Sequence, residues 1–519
     1  MTRSVVIVGA GPGGLAAAML LAAAGADVTV LETADRVGGR SRALRAEGYR
    51  FDTGPTFFLY PRIIAEIFAT CGFDFRREVE MVRLDPLYRL AFLRDDGAPG
   101  ASLPVPADPA RLAAAIAAFS PADSANLHRF MADNRTKLAA FAPVLAQPFN
   151  GLADLLRPKV LAAMRHLRPW ASVDQDLARW FQDPRLRLAF SFQSKYLGMS
   201  PYRCPSLFTI LSFLEHEHGV WHPLGGCSAV MERMAGLARA LGARIHLGTP
   251  VRELLFQGRR AVGVRTDAGI TPADAVVVNA DFAQAMTTLV PDRLRRRWRD
   301  RTIAAKRYSC STFMLYLGVE GRIDLDHHTI ALAEDYTANL AAIESGREPP
   351  AAPSLYLQNA SVSDPGLAPP GHSALYVLVP VGNLAGGVDW TAWQARFRAE
   401  VLRRLAALGL GNLERRIRVE RMMTPKAWAD DLGVFRGATF NLAHSLDQML
   451  CWRPRNRFED LERVYLVGGG THPGSGLPVI FEGARITSGL IADDLALAAP
   501  AAPVPRPDTP WPAPLEFRA

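Results

Sequence analysis

The chain has 519 residues, 49% apolar and 21% charged, enough apolar matter for a real core, which excludes a wholly disordered protein. Its 59 Lys and Arg against 51 Asp and Glu give a net charge of +8, an excess that suits nucleic acid, an anionic membrane surface or an anionic ligand. The cysteines Cys71, Cys204, Cys227, Cys310 and Cys451 are odd in number, far apart and free of any C-x-x-C spacing, which points away from a disulfide framework or a zinc site and toward a reducing cytoplasm.

The first 26 residues combine Arg3, an apolar run and small residues, the outline of a secretory leader. However, Gly9, Gly11, Gly13 and Gly14 interrupt that run where a nucleotide-binding turn needs them. No later stretch of about 20 apolar residues is free of charge and proline, so no bilayer span is expected, while attachment to a membrane face stays open. Residues 4–8 read as a buried strand, 13–24 as a helix, and 27–31 as a second strand ending at Glu32, a β-α-β unit that implies a parallel sheet. Helical stretches follow at 110–119 and 124–141. From 151 to 198 the pattern is helical and basic, with Arg157, Lys159, Arg165, His166 and Arg168 among Leu, Met and Trp. An amphipathic helix at 228–241 leads into one strand-like run, ARIHLGTPVREL. Further strands are expected at 261–265, 275–279, 313–319, 354–358 and 374–380, a helix at 391–408, a strand at 464–468 and a last helix at 482–498. From Pro500 the Pro- and Ala-rich sequence reads as a disordered tail.

Three motifs carry chemistry. Gly9, Gly11 and Gly14 form G-x-G-x-x-G between a strand and a helix, the arrangement that turns tightly and brings a pyrophosphate onto the helix N-terminus. Glu32, eighteen residues after Gly14, is placed to accept ribose hydroxyls, which favours an unphosphorylated ribose and disfavours NADP. Gly38-Gly39-Arg40 and then Phe51-Asp52-Thr53-Gly54-Pro55 follow at once, where a plain NAD dehydrogenase returns to its sheet. Small backbone units and a cation beside the expected pyrophosphate favour FAD over a β-turn with a surface arginine. Near the other end, Gly468 to Pro478 is a small-residue loop between a strand and a helix, a second place for backbone to approach a ring or pyrophosphate.

In these motifs the chain resembles the flavin-dependent amine-oxidase superfamily and, more narrowly, the bacterial-type carotenoid (phytoene and diapophytoene) desaturases. The matching stretches include VGGRS, FDTGPT, GVWHPLGG, VVVNAD, HHTI, SVSDPGLAPPG and THPGSGLP, and they cover nearly the whole chain before the tail. The resemblance implies an α/β fold: a two-dinucleotide-binding-type, Rossmann-like FAD fold with an inserted α+β substrate domain and a helical membrane-facing region. Its parts would be FAD-binding segments at 1–105, 226–290 and 426–498, a helical insertion at 106–225, a mixed-sheet substrate domain at 291–425 and the tail at 499–519. It also implies that Gly9, Gly11, Gly14 and Glu32 hold the ADP half of FAD and that Gly39, Arg40 and Gly54 lie near the pyrophosphate and flavin. Val251 would pair its backbone with adenine, and Gly470, Pro478 and Ile480 would lie by the flavin ring and ribityl chain. The stretch GLPVIFEGARI departs from the family's GVPGV-like pattern, with bulkier Phe481 and Glu482 expected over the flavin, so diapophytoene or a partly desaturated carotenoid is as plausible a substrate as phytoene.

The implied reaction removes two hydrogens from adjacent allylic carbons of a hydrocarbon held by apolar burial, worth roughly 25 cal/mol per Å². The cofactor carries the hard step, with oxygen or a membrane quinone as final acceptor. Asp183 and Arg187 in the expected substrate region, and His472 in the flavin loop, are candidates to handle the proton. For Asp183 the structural alternative is a helix N-cap before Pro184, with an i,i+4 ion pair to Arg187. His327 and His328, adjacent on an expected strand, would point to opposite faces, so no shared metal is expected. The basic stretch 151–170 suits either a solvated helix or a peripheral contact with the inner face of the cytoplasmic membrane, at about 1 kcal/mol per cation with shallow apolar insertion. A lipid-dissolved polyene substrate favours the membrane, and no basic cluster favours nucleic acid. The rival functions are a carotenoid oxygenase, saturase or isomerase of the same fold, an amine oxidase, and a non-catalytic prenyl-binding escort.

Overall fold

The computed structural model describes residues 2–96 and 100–498; the expected tail lies outside them. At its centre is a five-stranded parallel sheet in the order Arg244–His246, Asp27–Leu31, Ser4–Val8, Ala275–Val278, Val464–Leu466. Its inner strands are largely apolar because both faces are covered, while the edge strand Arg244–His246 is mostly polar and exposed, and the period of two divides the buried residues. Val5, Ile7, Ala275 and Val277 pack under the helices Pro12–Ala23, Cys227–Ala240 and Leu477–Leu495. Val6, Val8, Val276 and Val278 face a three-stranded antiparallel sheet, Val251–Gln257, Arg260–Thr266 and Gly269–Pro272. The run ARIHLGTPVREL is therefore two strands in two different sheets. The C-terminal helix begins at Leu477, five residues earlier than its periodicity suggests, because Pro478 sits in its first turn, where a missing N–H costs nothing.

A second, seven-stranded sheet runs Ile417–Met423, Ser311–Val319, Ser373–Val381, Leu355–Asn359, His328–Leu332, Tyr88–Phe92, Ser102–Val105. It is mixed, since His328–Leu332 pairs in parallel with Tyr88–Phe92 and the other pairs are antiparallel. Residues 88–105, placed by sequence with the first FAD-binding segment, thus build the second sheet. One face carries Phe313, Leu315, Leu317, Val377 and Val379 onto the helix Trp390–Leu405. The alternate residues Thr312, Met314, Tyr376, Leu378 and Pro380 face a cavity. Helices between Pro109 and His218 close over that cavity: Leu127–Leu145 and Ile210–His218 line it, and Pro158–Leu167 packs against Leu127–Leu145.

Candidate cofactor and substrate cavity

One cavity of about 1370 Å³ runs between the two sheets. Its first wall is the glycine turn after Ser4–Val8. Gly9 has φ +100°, and a Cβ on Gly14 would stand 2.2 Å from the Gly9 carbonyl oxygen, so the first turn of Pro12–Ala23 packs against the strand only without side chains. Gly11 caps that helix with no side chain, leaving N-terminal N–H groups unclaimed by the protein, the donor set that a pyrophosphate accepts. Glu32 lines the cavity with its carboxylate held in place, Oε2 accepting from Ala10 N at 2.6 Å and Oε1 from Ala34 N at 2.9 Å.

The Gly38-Gly39 turn docks on this one, Gly38 N donating to Ala10 O at 2.8 Å, and delivers Arg40 to the cavity. Arg40 Nη1 donates to Thr439 O at 2.7 Å. The amide of Asn441, with its oxygen toward Arg40, accepts from Nη2 at 2.9 Å and donates to Asp281 Oδ2 at 2.8 Å. Burial lowers the Arg40 pKa while Asp281 favours its charge. The motif around Gly54 is explained by its neighbours. Asp52 accepts from Cys227 N at 2.7 Å and Ser228 N at 2.8 Å, capping the helix Cys227–Ala240 from outside it. Tyr316 and Tyr376 donate to Thr53 O at 2.5 Å and Gly54 O at 2.8 Å, pinning the turn to the second sheet.

Of the residues singled out from sequence, Gly9, Gly11, Glu32, Gly39, Arg40, Gly54, Val251, Pro478 and Ile480 line this cavity. Gly14 stands behind the turn, and Gly470 lies against Phe282, off the cavity wall. Phe481 is buried in the core beneath the parallel sheet, so its bulk does not cover the cavity, whereas Glu482 lines it and pairs with Arg485 at 3.2 Å. The three proton-handling candidates are not brought to the cavity. His472 is buried, its Nε2 donating to Gln147 O at 2.9 Å, and burial pulls its pKa down to about 4; it ties the loop to the helical segment. Asp183 caps the helix Pro184–Ala189 and pairs with Arg185 at 2.6 Å, not with Arg187. The rings of His327 and His328 are 4.4 Å apart, because the strand begins only at His328 and its alternation does not reach His327.

Several site residues were not singled out from the sequence, although Asn279 lies within the matching stretch VVVNAD. Asn279 donates to Gly9 O at 3.1 Å and lines the cavity beside Gly11. Arg453 is fully buried without a carboxylate and donates to the carbonyls of Leu442, Ala443, Gln448, Gly469 and Thr471. Burial lowers its pKa to about 9. His444 accepts from Ser475 N at 3.0 Å, and burial with Arg453 nearby keeps it neutral, its pKa well below the usual range. Together these two hold the loop from Gly468 to Pro478 in shape.

Away from this wall the lining turns apolar and aromatic: Phe141, Phe192, Leu207, Phe208, Met314 and Leu378 are among its members. A nucleotide-shaped wall opening on an apolar tunnel is the arrangement of a flavin enzyme for a greasy substrate. A model of flavin-containing amine oxidoreductases matches residues 12–495. The chain belongs to that family. It is 42% identical over 493 residues to a 4,4'-diapophytoene desaturase (4,4'-diapolycopene-forming) of Methylomonas sp, covering 95% of each chain. It is 39% identical to an all-trans-zeta-carotene desaturase of Myxococcus xanthus, covering 97% of this chain and 95% of that one, and 33% to a lycopene-forming phytoene desaturase of Pantoea ananas, covering 94% and 99%. Among solved structures, a redesigned putrescine oxidase superposes with TM-score 0.60 at 17% identity over 96% of this chain and 99% of its own, a likeness of fold.

Proposed function

We propose that the protein is an FAD-dependent desaturase of an acyclic C30 or C40 carotenoid. The observation that carries this reading is the single cavity shared by the dinucleotide-type wall and the apolar tunnel. FAD fits the first wall: the uncapped helix N-terminus would take the pyrophosphate, Glu32 the ribose, Val251 the adenine, and Arg40, Gly54, Pro478 and Ile480 the flavin end. Bound there, FAD supplies the two-electron acceptor. The residues beyond it exclude water and hold a substrate that has no polar handle, so that orientation comes from the shape of the tunnel. The mixed sheet and the helices over it then act as the substrate domain.

The polyene arrives from lipid. Leu152, Leu156, Leu161, Met164 and Trp170 are all exposed, Trp170 at 79%, beside exposed Lys159 and Arg165, and no described helix is long and apolar enough to cross a membrane. This patch, next to the cavity-lining helix Leu127–Leu145, is read as a peripheral contact with the inner face of the cytoplasmic membrane, which also gives access to a quinone; oxygen is the other acceptor. Purified protein loaded with FAD and given liposomes containing phytoene or diapophytoene tests the reading. Red-shifted, finely structured absorbance with loss of two hydrogens per step supports it, and added oxygen or an unchanged polyene with flavin bound overturns it. An amine substrate is the second reading, favoured by the edge-on Tyr356–Tyr376 pair, with ring centroids 5.7 Å apart, on the cavity wall; putrescine in the same assay tests it.

A further inference from the structure

Removing two hydrogens from adjacent carbons leaves one proton to place inside an apolar tunnel, and none of His472, Asp183 and Arg187 reaches that tunnel. A different carboxyl does, through one intermediate. The helix Ile210–His218 lines the cavity with Ile210, Leu211 and Leu214, and Glu215, four residues after Leu211, lies on the same stripe. Glu215 is fully buried and, unlike Glu217 with its Arg135 at 2.7 Å, forms no ion pair. Its Oε1 accepts from the Tyr196 hydroxyl at 2.7 Å and its Oε2 from Gln193 Nε2 at 2.8 Å. Tyr196 lines the cavity, its ring 5.3 Å from that of Phe57, and Phe57 directly follows the cavity-lining Gly54-Pro55-Thr56.

We propose that Tyr196 and Glu215 are the proton acceptor of the dehydrogenation, the Tyr196 oxygen taking the proton from the substrate carbon while its own hydroxyl proton passes to Glu215 Oε1. The inference rests on the desaturase reading above. In the balanced step one C–H bond of the –CH2–CH2– unit breaks with its electron pair leaving as hydride for the oxidised flavin. The neighbouring C–H bond breaks with its pair remaining to make the C=C, and that proton ends on Glu215. The substrate is oxidised by two electrons and the flavin reduced by two. Once the hydride has gone, the C–H beside the allylic cation is strongly acidic, so a phenol oxygen backed by a carboxylate is a sufficient base.

The titratable groups that face Glu215 are Tyr196 and Tyr88, the latter 3.3 Å from Gln193 Nε2. The neighbouring His216 makes no hydrogen bond and lies beside Phe190, 5.3 Å between ring centroids. Burial pushes the Glu215 carboxyl up to about 7 against the opposing hydrogen bonds of Gln193, Tyr196 and Tyr88, near the value a general base needs at neutral pH.

The test uses the FAD-loaded protein with phytoene or diapophytoene liposomes, comparing the wild type with E215Q and Y196F. The wild type is expected to show kcat rising with pH through about 7, and each variant to lose about 100-fold in kcat with KM and bound flavin retained and, in E215Q, the acid limb gone. Independently of turnover, infrared pH-difference spectra of the wild-type holoprotein are expected to show a buried carboxyl C=O band titrating in the same range, absent in E215Q. If E215Q fails to hold flavin, the wild-type pH profile and Y196F decide alone. Wild-type turnover with an unshifted pH profile and full rates in Y196F or E215Q overturns the inference and leaves the desaturase reading standing. Absence of turnover in the wild type overturns the reading itself.

Discussion

The wall of the cavity built by the parallel sheet gathers its contacts from turns. Gly9, Gly11, Glu32, Gly39 and Arg40 fall within 32 residues of chain, and most of what they offer is backbone. The apolar wall gathers side chains from separate segments, Phe141 on one helix, Phe208 and Leu214 near another, Met314 and Leu378 on two strands. In the first region position follows from local backbone geometry, which short motifs encode. In the second it follows from tertiary assembly, where any residue of suitable size and polarity serves. Substitutions in the two regions should therefore fail in different ways, the first by losing cofactor and the second by losing substrate or membrane.

The sharpest break is expected at Gly14. Gly14→Val drives its Cβ into the Gly9 carbonyl, 2.2 Å away, and is predicted to abolish bound flavin, read as loss of visible absorbance in the purified protein. Next, Arg453→Met removes the donor shared by five buried carbonyls, of which Gly469 and Thr471 belong to the Gly468–Pro478 loop and Leu442, Ala443 and Gln448 to the segment behind it. At the cost of buried unsatisfied groups this is worth at least about 3 kcal/mol, measured by urea unfolding. Glu32→Ala removes the carboxylate proposed to bind the ribose and is predicted to weaken FAD by about 2 kcal/mol, roughly thirtyfold in Kd, by flavin titration of the apoprotein.

For the other region, combined Leu156→Glu, Leu161→Glu and Trp170→Glu is expected to cut co-sedimentation with anionic liposomes by about tenfold or more, since each side chain contributes about 1.5 kcal/mol or more when buried. Flavin binding should stay intact. Binding lost together with flavin would erase the distinction between the two walls.

Four of the five strands of the parallel sheet were legible because they are largely apolar on both faces: 4–8, 27–31, 275–279 and 464–468 match the observed strands to within two residues. The strands Tyr88–Phe92 and Ser102–Val105 were not, since Arg89 and Pro104 interrupt their apolar pattern and the strand that joins this pair to the sheet, His328–Leu332, lies more than 200 residues away. Histidines in G-T-H-P and H-H-T-I drew the eye to chemistry, yet His472 is a tie between segments. The cavity's own histidine is His444, whose surroundings L-A-H-S carry no signal. Burial of this kind has a global consequence. His216, His218 and His472 are held at about 4 against about 6.5 in the unfolded chain, so below 6.5 the unfolded state binds more protons. Stability is thus predicted to be complete above pH 6.5 and to fall as pH drops toward 4, read as a falling urea midpoint.

The central claim, that flavin and polyene share one cavity, is tested most directly by anaerobic mixing of the FAD-loaded protein with polyene-bearing liposomes. Bleaching of the oxidised-flavin absorbance, matched by one new C=C per flavin, is the predicted result. Flavin that stays oxidised with phytoene and diapophytoene, yet bleaches with putrescine, would contradict it.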